Sequence, residues 1–230
     1  MNVENLPNLL TQNQLFSSLS AQERATIIEQ AHPRKFAAGE WLAHHGDVWP
    51  YLFMVTAGTV YGVKESAEGR SLIVLALEPG DLFFGMAFFE DGSPLLLGLQ
   101  AHQDCQIYLW HREQFLPLLW ENGRFSWELS RLMMDRMQQG SLFMEDLAFL
   151  PVRERLARLL LDRYGTAVGE FVARDLTLDE MAAHIGTKRE VVCRLLYRFE
   201  AEGVLELHRT EFMITDRKKL VDCTNMPTAA

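Results

Sequence analysis

Three side chains on one short stretch have the chemistry to read nucleic acid. Arg189, Glu190 and Arg194 lie within REVVCRLLYRFEA. A guanidinium fork matches the two acceptors of guanine and a carboxylate accepts from cytosine, so the trio suits base edges in a major groove. Thr187, Lys188, Cys193 and Arg198 complete the candidate DNA-contacting set, with Lys188 and Arg198 supplying charge for phosphates. The same charged face on an ordinary helical hairpin would merely be solvated. The surrounding elements decide between the two.

The stretch Leu176 to Gly203 reads as two helices joined by a tight turn. Thr177 with Glu180 has the spacing of a capping box, and Leu176 with Met181 supplies the apolar staple of a helix entry. Gly186 can take the positive φ of a helix stop, and Thr187 with Glu190 repeats the capping spacing at once. Glu190 is thus given two tasks, closing a cap and facing a base. In the second helix Val192, Leu195, Leu196 and Phe199 form a buried stripe opposite the charged face. GVLELHRTEFMITD, after it, reads as two short strands around His208, Arg209 and Thr210, a wing. A winged helix-turn-helix with its reading helix second is the expectation.

Upstream, Asn13 to Gln30 reads as a short helical start in which Ser20 opens Ala21 to Gln30. From Lys35 to Trp110 short apolar strands are cut by Gly39, Gly46, Gly58, Gly69, Gly80, Gly85, Gly92 and Gly98, which predicts a compact β-roll able to hold a small ligand. From about Phe125 to Leu147 apolar residues step by three and four: Leu129, Leu132, Met133, Met137, Gly140, Met144 and Leu147. That length predicts a dimerisation helix rather than a cover for the roll alone. Pro151 breaks the pattern, and Val152 to Tyr164 makes a further amphipathic helix with Leu156, Leu159 and Leu160 inward and Arg153, Arg155 and Arg158 outward. The chain is read as α+β, with a sensing roll over 1–121, a dimer helix and hinge over 122–150, and a DNA-binding domain over 151–230.

The net charge of −9 argues against DNA until it is divided. Residues 1–150 hold 9 Lys/Arg against 18 Asp/Glu, whereas residues 151–220 hold 13 against 12. The acidity belongs to the roll, and the cations gather near the proposed reading helix. No apolar run reaches the roughly 18 residues of a membrane span, and the start MNVENLPNLLTQNQ carries no signal-peptide pattern, so a soluble, cytoplasmic protein is expected. Cys105, Cys193 and Cys223 lie too far apart for a zinc or disulfide pattern. A metal-dependent jelly-roll enzyme would need converging histidines, whereas His44 and His45 would point to opposite faces of a strand and His102 has no evident partner. No nucleophile, base or phosphate loop is legible, and catalysis is not expected.

The ordered set Gly39-Glu40, Gly46-Asp47, Ala57-Gly58-Thr59-Val60, Pro79-Gly80-Asp81, Gly85, Leu147 to Leu150 and LTLDEMAAHIGTKREVVCRLLYRFEAEGVLEL resembles the cyclic-AMP receptor and fumarate-nitrate regulator family of bacterial transcription factors. The resemblance runs from about Phe16 to Asp216. It implies a cyclic-nucleotide-binding-type β-roll (a double-stranded jelly roll), a dimer helix and a winged helix-turn-helix. Its base-reading positions fall on Arg189, Glu190 and Arg194, which implies a palindrome of TGTGA-like half-sites read by a homodimer, with RNA polymerase as a further partner. Nucleotide-binding members resemble one another in a Glu after the pocket glycine and an Arg-Ser pair on the cyclic phosphate. Here Met86 follows Gly85, and Ser93 to Leu99 reads SPLLLGL with no cation. The expected effector is therefore not cyclic AMP, although Arg136 and Ser141 match pocket-facing positions. Phe83, Phe84, Gly85, Met86, Phe88, Phe89, Leu95, Leu96, Leu97 and Gly140 make the candidate pocket apolar. A hydrophobic organic acid, or haem in a gas or redox sensor of NO or CO, stays open, with His32, His44, His45, His102, His111 and Cys105 as available ligands. The amino-terminal cysteine cluster of iron-sulfur members is absent, so no such cluster is expected.

Overall fold

A computed structural model describes residues 6–224. They divide into two compact units: one takes the chain up to Lys64 and Val74–Gly140, the other Glu65–Ile73 and the chain from Ser141 onward. Each is built on its own core.

The first unit opens with helices α1 (Leu6–Gln12), α2 (Gln14–Ser17) and α3 (Ala21–Glu29). Ser20 caps α3 as expected: its hydroxyl accepts from the Glu23 amide and the Glu23 carboxylate accepts from the Ser20 amide. Strands β1 (His32–Phe36), β3 (Tyr51–Ala57), β6 (Leu82–Phe84) and β8 (Cys105–His111) form one sheet in the order β1-β8-β3-β6. Strands β2 (Trp41–Ala43), β4 (Val60–Glu65), β5 (Ser71–Leu77) and β7 (Gly98–Ala101) form a second, in the order β2-β7-β4-β5. Phe53, Val55, Ile107 and Leu109 from the first sheet and Ala43, Val60, Leu77 and Leu99 from the second share one core. That is a roll of two sheets over one apolar layer. Two glycines read as breaks have another task. Gly98 lies inside β7, where a Cβ would come within 2.5 Å of the Trp41 ring, and Gly85 stands at a close approach to Leu95.

A second core joins the amino-terminal helices to the end of the roll. Leu10 and Phe16 meet Trp110, Phe115 of α4 (Arg112–Glu121), and Phe125 and Leu129 of α5 (Gly123–Phe149). The Trp110 indole donates to the Ile27 carbonyl at 2.7 Å, so the ring is buried without an orphaned N–H. Leu129 is thus covered by its own unit, and Leu132 packs half-buried beside it. Leu129 therefore belongs to the roll's own core rather than to a dimer face, while Leu132 keeps part of its surface open. A long amphipathic helix shows which residues share a side, not what lies against it. Trp127, Met133, Met134, Met137 and Met144, on another side of α5, are 39–67% exposed.

In the second unit α6 (Val152–Tyr164) buries Leu156 and Leu160 against α7 (Leu178–His184), α8 (Arg189–Ala201) and a three-stranded sheet. That sheet runs β10 (Leu205–Leu207), β11 (Glu211–Ile214), β9 (Val172–Ala173). Helix α9 (Arg217–Asp222) closes the core with Leu220. The arginines expected to face outward from α6 are half-buried and committed. Arg155 donates from one nitrogen to the Asp146, Leu147 and Leu150 carbonyls at 3.2, 2.9 and 3.1 Å, adding to the Leu150 amide that Asp146 already accepts and supplying a donor to the other two at the end of α5. Arg158 pairs with the Asp146 carboxylate at 2.7 Å, and Arg153 bridges Glu202 and the Cys223 sulfur while lying over the Phe199 ring.

Candidate nucleic-acid interface and effector roll

The interface is set by two helix starts and one turn. Thr177 caps α7: its hydroxyl accepts from the Glu180 amide at 3.2 Å, and the Glu180 carboxylate accepts from the Thr177 amide at 2.7 Å. Helix α7 ends at His184, and Gly186 takes φ +63°, where a side chain would be strained. The Thr187 amide then donates back to the Ala182 carbonyl at 2.9 Å. That bond makes Thr187 part of the exit from α7 rather than the entry to α8. The cap of α8 is Lys188, with extended backbone (φ −107°, ψ 150°) and no side-chain hydrogen bond. The expected Thr187–Glu190 capping box is therefore corrected, and Glu190 is released from one of its two tasks.

Glu190 and Arg194 are exposed, and neither makes a hydrogen bond or ion pair with another described residue. Arg189 is exposed too, but its Nη1 lies 3.2 Å from Asp179 Oδ2 on the first turn of α7. Arg198 pairs with Glu202 at 2.9 Å, one turn on, so of the candidate contacts it is the one already neutralised on its own helix. Lys188 is exposed and Thr187 half-buried. Cys193 is half-buried and turns toward the wing, in the wall of a hollow of about 400 Å³ shared with Arg174, Tyr197, His208 and Arg209.

Sequence reasoning did not single out Arg174, Asp175 or Asp179. Arg174 follows the two-residue strand β9; its amide donates to the Thr210 carbonyl and its Nη2 to the Arg209 carbonyl, both at 2.9 Å, so it fixes the wing tip. Asp175 accepts from the Tyr164 hydroxyl and from Arg163 at 3.1 Å. Burial would raise its pKa, but those bonds outweigh it and hold the carboxyl below the usual range. At the wing itself His208 stacks on Phe171 at 4.3 Å between Glu206 and Glu211. Arg174, Asp175 and Asp179 have no local signature, because their side-chain partners lie ten or more residues away.

In the roll, Gly85 is buried, and a Cβ there would lie 2.7 Å from Leu95 Cδ2. Leu95 is itself buried, Phe83 packs on Phe53 with centroids 5.4 Å apart, and Leu97 reaches Gly62. Leu95, from the stretch after Ser93, therefore makes a close apolar approach to Gly85. Phe88 is fully buried in the amino-terminal core instead, whereas Met86, Phe89 and Leu96 are exposed at 45, 43 and 55%. Trp49, buried against Gly85, has an indole N–H with no acceptor among the described residues. Arg136 is engaged: Nη2 lies 3.5 Å from the Asp81 carboxylate and 3.4 Å from the Leu82 carbonyl. Gly140 and Ser141 are exposed.

The candidate haem ligands are spread over the roll, three of the histidines against aromatic rings. His44 pairs with Trp41, His102 with Tyr61 and His111 with Tyr51, at centroid distances of 5.1, 4.5 and 5.4 Å, and His111 also caps α4. His32 and His45 are not buried. Cys105 is buried in the roll core, where burial, aided by Glu40 and Asp104, pushes its thiol up to about 11. Among the described residues no three His, Cys, Asp or Glu side chains are grouped to hold a metal, and no helix is long and apolar enough to cross a membrane.

Known proteins share this order of parts. Residues 33–122 match the cyclic nucleotide-binding domain and residues 154–223 the Crp-like helix-turn-helix domain, together more than two thirds of the chain. The cyclic AMP receptor protein of Thermus thermophilus is 27% identical over 193 residues, covering 84% of this chain and 88% of that protein. A crp/fnr-family regulator from Eubacterium rectale superposes with a TM-score of 0.77 at 21% identity, over 92% of this chain and 98% of that one. The c-di-GMP responsive regulator CLP of Xanthomonas campestris gives a TM-score of 0.74 at 20% identity, over 86% and 100%.

Proposed function

Because this chain belongs to the Crp/Fnr family of transcription regulators and is not an enzyme, we propose that it acts in the cytoplasm as a homodimer that binds palindromic DNA of TGTGA-like half-sites, under control of an effector other than cyclic AMP. The observation that carries the DNA reading is the first turn and a half of α8. There Glu190 and Arg194 stand exposed with no hydrogen-bond or ion-pair partner for their side chains among the described residues, beside an exposed Arg189 held only by Asp179, which favours all three for base edges. Lys188 and the wing-tip Arg209 add cations for phosphates. RNA polymerase is the partner such a regulator would engage once seated.

Dimerisation is supported by α5. Its Met133, Met134, Met137 and Met144 lie on a side that its own roll leaves uncovered, and burying them against a second copy would remove a large apolar stripe from water. A C2 pair then requires half-sites about one helical turn apart.

The effector reading rests on the apolar chemistry beside Gly85. A cyclic phosphate needs a cation, and Leu95 stands there while Arg136 is held by Asp81. Apolar side chains with a buried donor, the Trp49 indole N–H, suit an apolar ligand carrying a hydrogen-bond acceptor. Such a ligand controls DNA binding only by preferring one of two arrangements of the dimer.

Titration of the purified protein onto a TGTGA palindrome and onto a scrambled duplex, with mass measured by sedimentation, tests the DNA and dimer readings together. Equal affinity for both duplexes would sink the first, and a monomer at working concentration the second. A thermal-shift screen of apolar acids, with cyclic AMP as control, tests the effector, and a haem titration followed at the Soret band tests the gas-sensing alternative.

A further inference from the structure

We infer that Asp179 is a positioning residue for base recognition, holding the Arg189 guanidinium ready for guanine and away from phosphates. The inference rests on the reading of Arg189 as a base-contacting side chain. Asp179 is the second residue of α7 and Arg189 the first of α8, and the turn at Gly186 brings these two helix starts together. The contact is single: Nη1 to Oδ2, 3.2 Å. A guanidinium carries five N–H donors, so a contact through Nη1 leaves the edge made by Nε and Nη2 for the two acceptors of guanine. Asp179 and Arg189 can therefore stay together while the base is read.

The carboxylate does two things at that point. Arginine has many rotamers to lose on binding, and a partner that restricts them beforehand reduces the ordering cost. The partner also competes with phosphate, which is present at every sequence, whereas guanine offers its bidentate edge at only some positions. Both effects raise the ratio of cognate to non-cognate affinity. Both side chains are more than half exposed, so the pair adds little to folding, and its removal reads out on DNA.

Among the described residues Glu190 and Arg194 have no such partner, which gives an internal contrast. Asp179 is also an acidic group on a DNA-facing surface, where repulsion from phosphates alone would lower affinity for every sequence alike. That is the competing account, and it predicts no change in discrimination when the charge is removed.

The test compares wild type, Asp179→Ala, Asp179→Asn, Arg189→Ala and Asp179→Ala with Arg189→Ala, each full length. Three kinds of duplex are used at one salt concentration: the TGTGA palindrome, a set with its guanine positions changed one by one, and an unrelated sequence. Asp179→Ala is expected to lower the ratio of cognate to guanine-changed affinity about 3- to 10-fold, a fraction of what one bidentate contact supplies. Affinity for the unrelated duplex rises. Asp179→Asn, which keeps an acceptor, retains part of the ratio. In the Arg189→Ala background the same change leaves the ratio where it was. A uniform gain on all duplexes, or an equal fall in ratio without Arg189, overturns the inference. If Arg189→Ala itself leaves the ratio at the wild-type value, the assignment of Arg189 fails and takes the inference with it, an outcome separate from failure of Asp179 alone.

Discussion

Glu190→Gln separates a side chain that reads DNA from one that holds its helix. In the free protein the exposed Glu190 side chain makes no hydrogen bond or ion pair with another described residue, so the change chiefly removes a negative charge near the positive end of α8, about 0.3–1 kcal/mol. Thr187→Ala serves as control. A true cap lost there would cost about 1 kcal/mol, but Thr187 gives only its backbone to the exit from α7, and its hydroxyl is expendable. On DNA the balance differs. A carboxylate accepts from cytosine N4, whereas a carboxamide pairs best with adenine, so discrimination at one base pair should fall or shift by about 1–3 kcal/mol, roughly 5- to 150-fold. Elsewhere in the half-site little should change, and overall affinity should rise slightly as a negative charge leaves the phosphates. Anisotropy titrations on duplexes altered one base pair at a time, at fixed salt, with urea denaturation in parallel, measure both sides. A loss spread evenly over all duplexes, or a Thr187→Ala protein destabilised by about 1 kcal/mol or more, would refute the placement of the cap and the role of Glu190 together.

Arg194→Ala should weaken specific binding by about 1–3 kcal/mol per half-site and leave the urea midpoint unchanged, since its side chain bonds to no other described residue; an unchanged footprint would rule it out as a reader. Met137→Glu should turn the dimer into monomers in sedimentation without loss of fold, whereas Leu129→Ala, which empties a site in the roll's own core, should cost about 2–5 kcal/mol of stability whatever the state of association. The folded-state pKa of Asp175 is depressed, so its stabilisation is complete above its unfolded value and is lost as pH falls through the folded one. Asp175→Asn should therefore flatten part of the acid limb in urea midpoints measured between about pH 5 and pH 2; an unchanged slope would show that its bonds to Tyr164 and Arg163 carry no such linkage.

Local signals were the legible ones. The caps at Ser20 and Thr177 and the stop at Gly186 could be read because every partner lies within a few residues. The box at Thr187 could not, because whether its hydroxyl is used depends on the amide's bond back to Ala182, which the spacing does not contain. Helix α1 went unread since its seven residues become helical by burying Leu6, Leu9 and Leu10, a gain that exists only once the roll is there. Strand β9 is two residues paired with β11 some forty positions later. The stripe on α5 was visible as a period, but its division between the roll and the opposite side follows from what each face meets. At the interface the charged trio could be named from type and spacing; Asp179 could not, since the turn alone brings it beside Arg189.

The guanidinium of Arg155 bears on how the molecule could be cut. Its three acceptors are the carbonyls of Asp146, Leu147 and Leu150, all upstream of the proline at which a DNA-binding piece would naturally be severed. A fragment starting at Pro151 would carry the cation and leave its acceptors behind, together with the Asp146 carboxylate that neutralises Arg158. The severed piece would have two arginines reaching for bonds no longer in the chain, and proteolysis that respects the fold should stop short of residue 146.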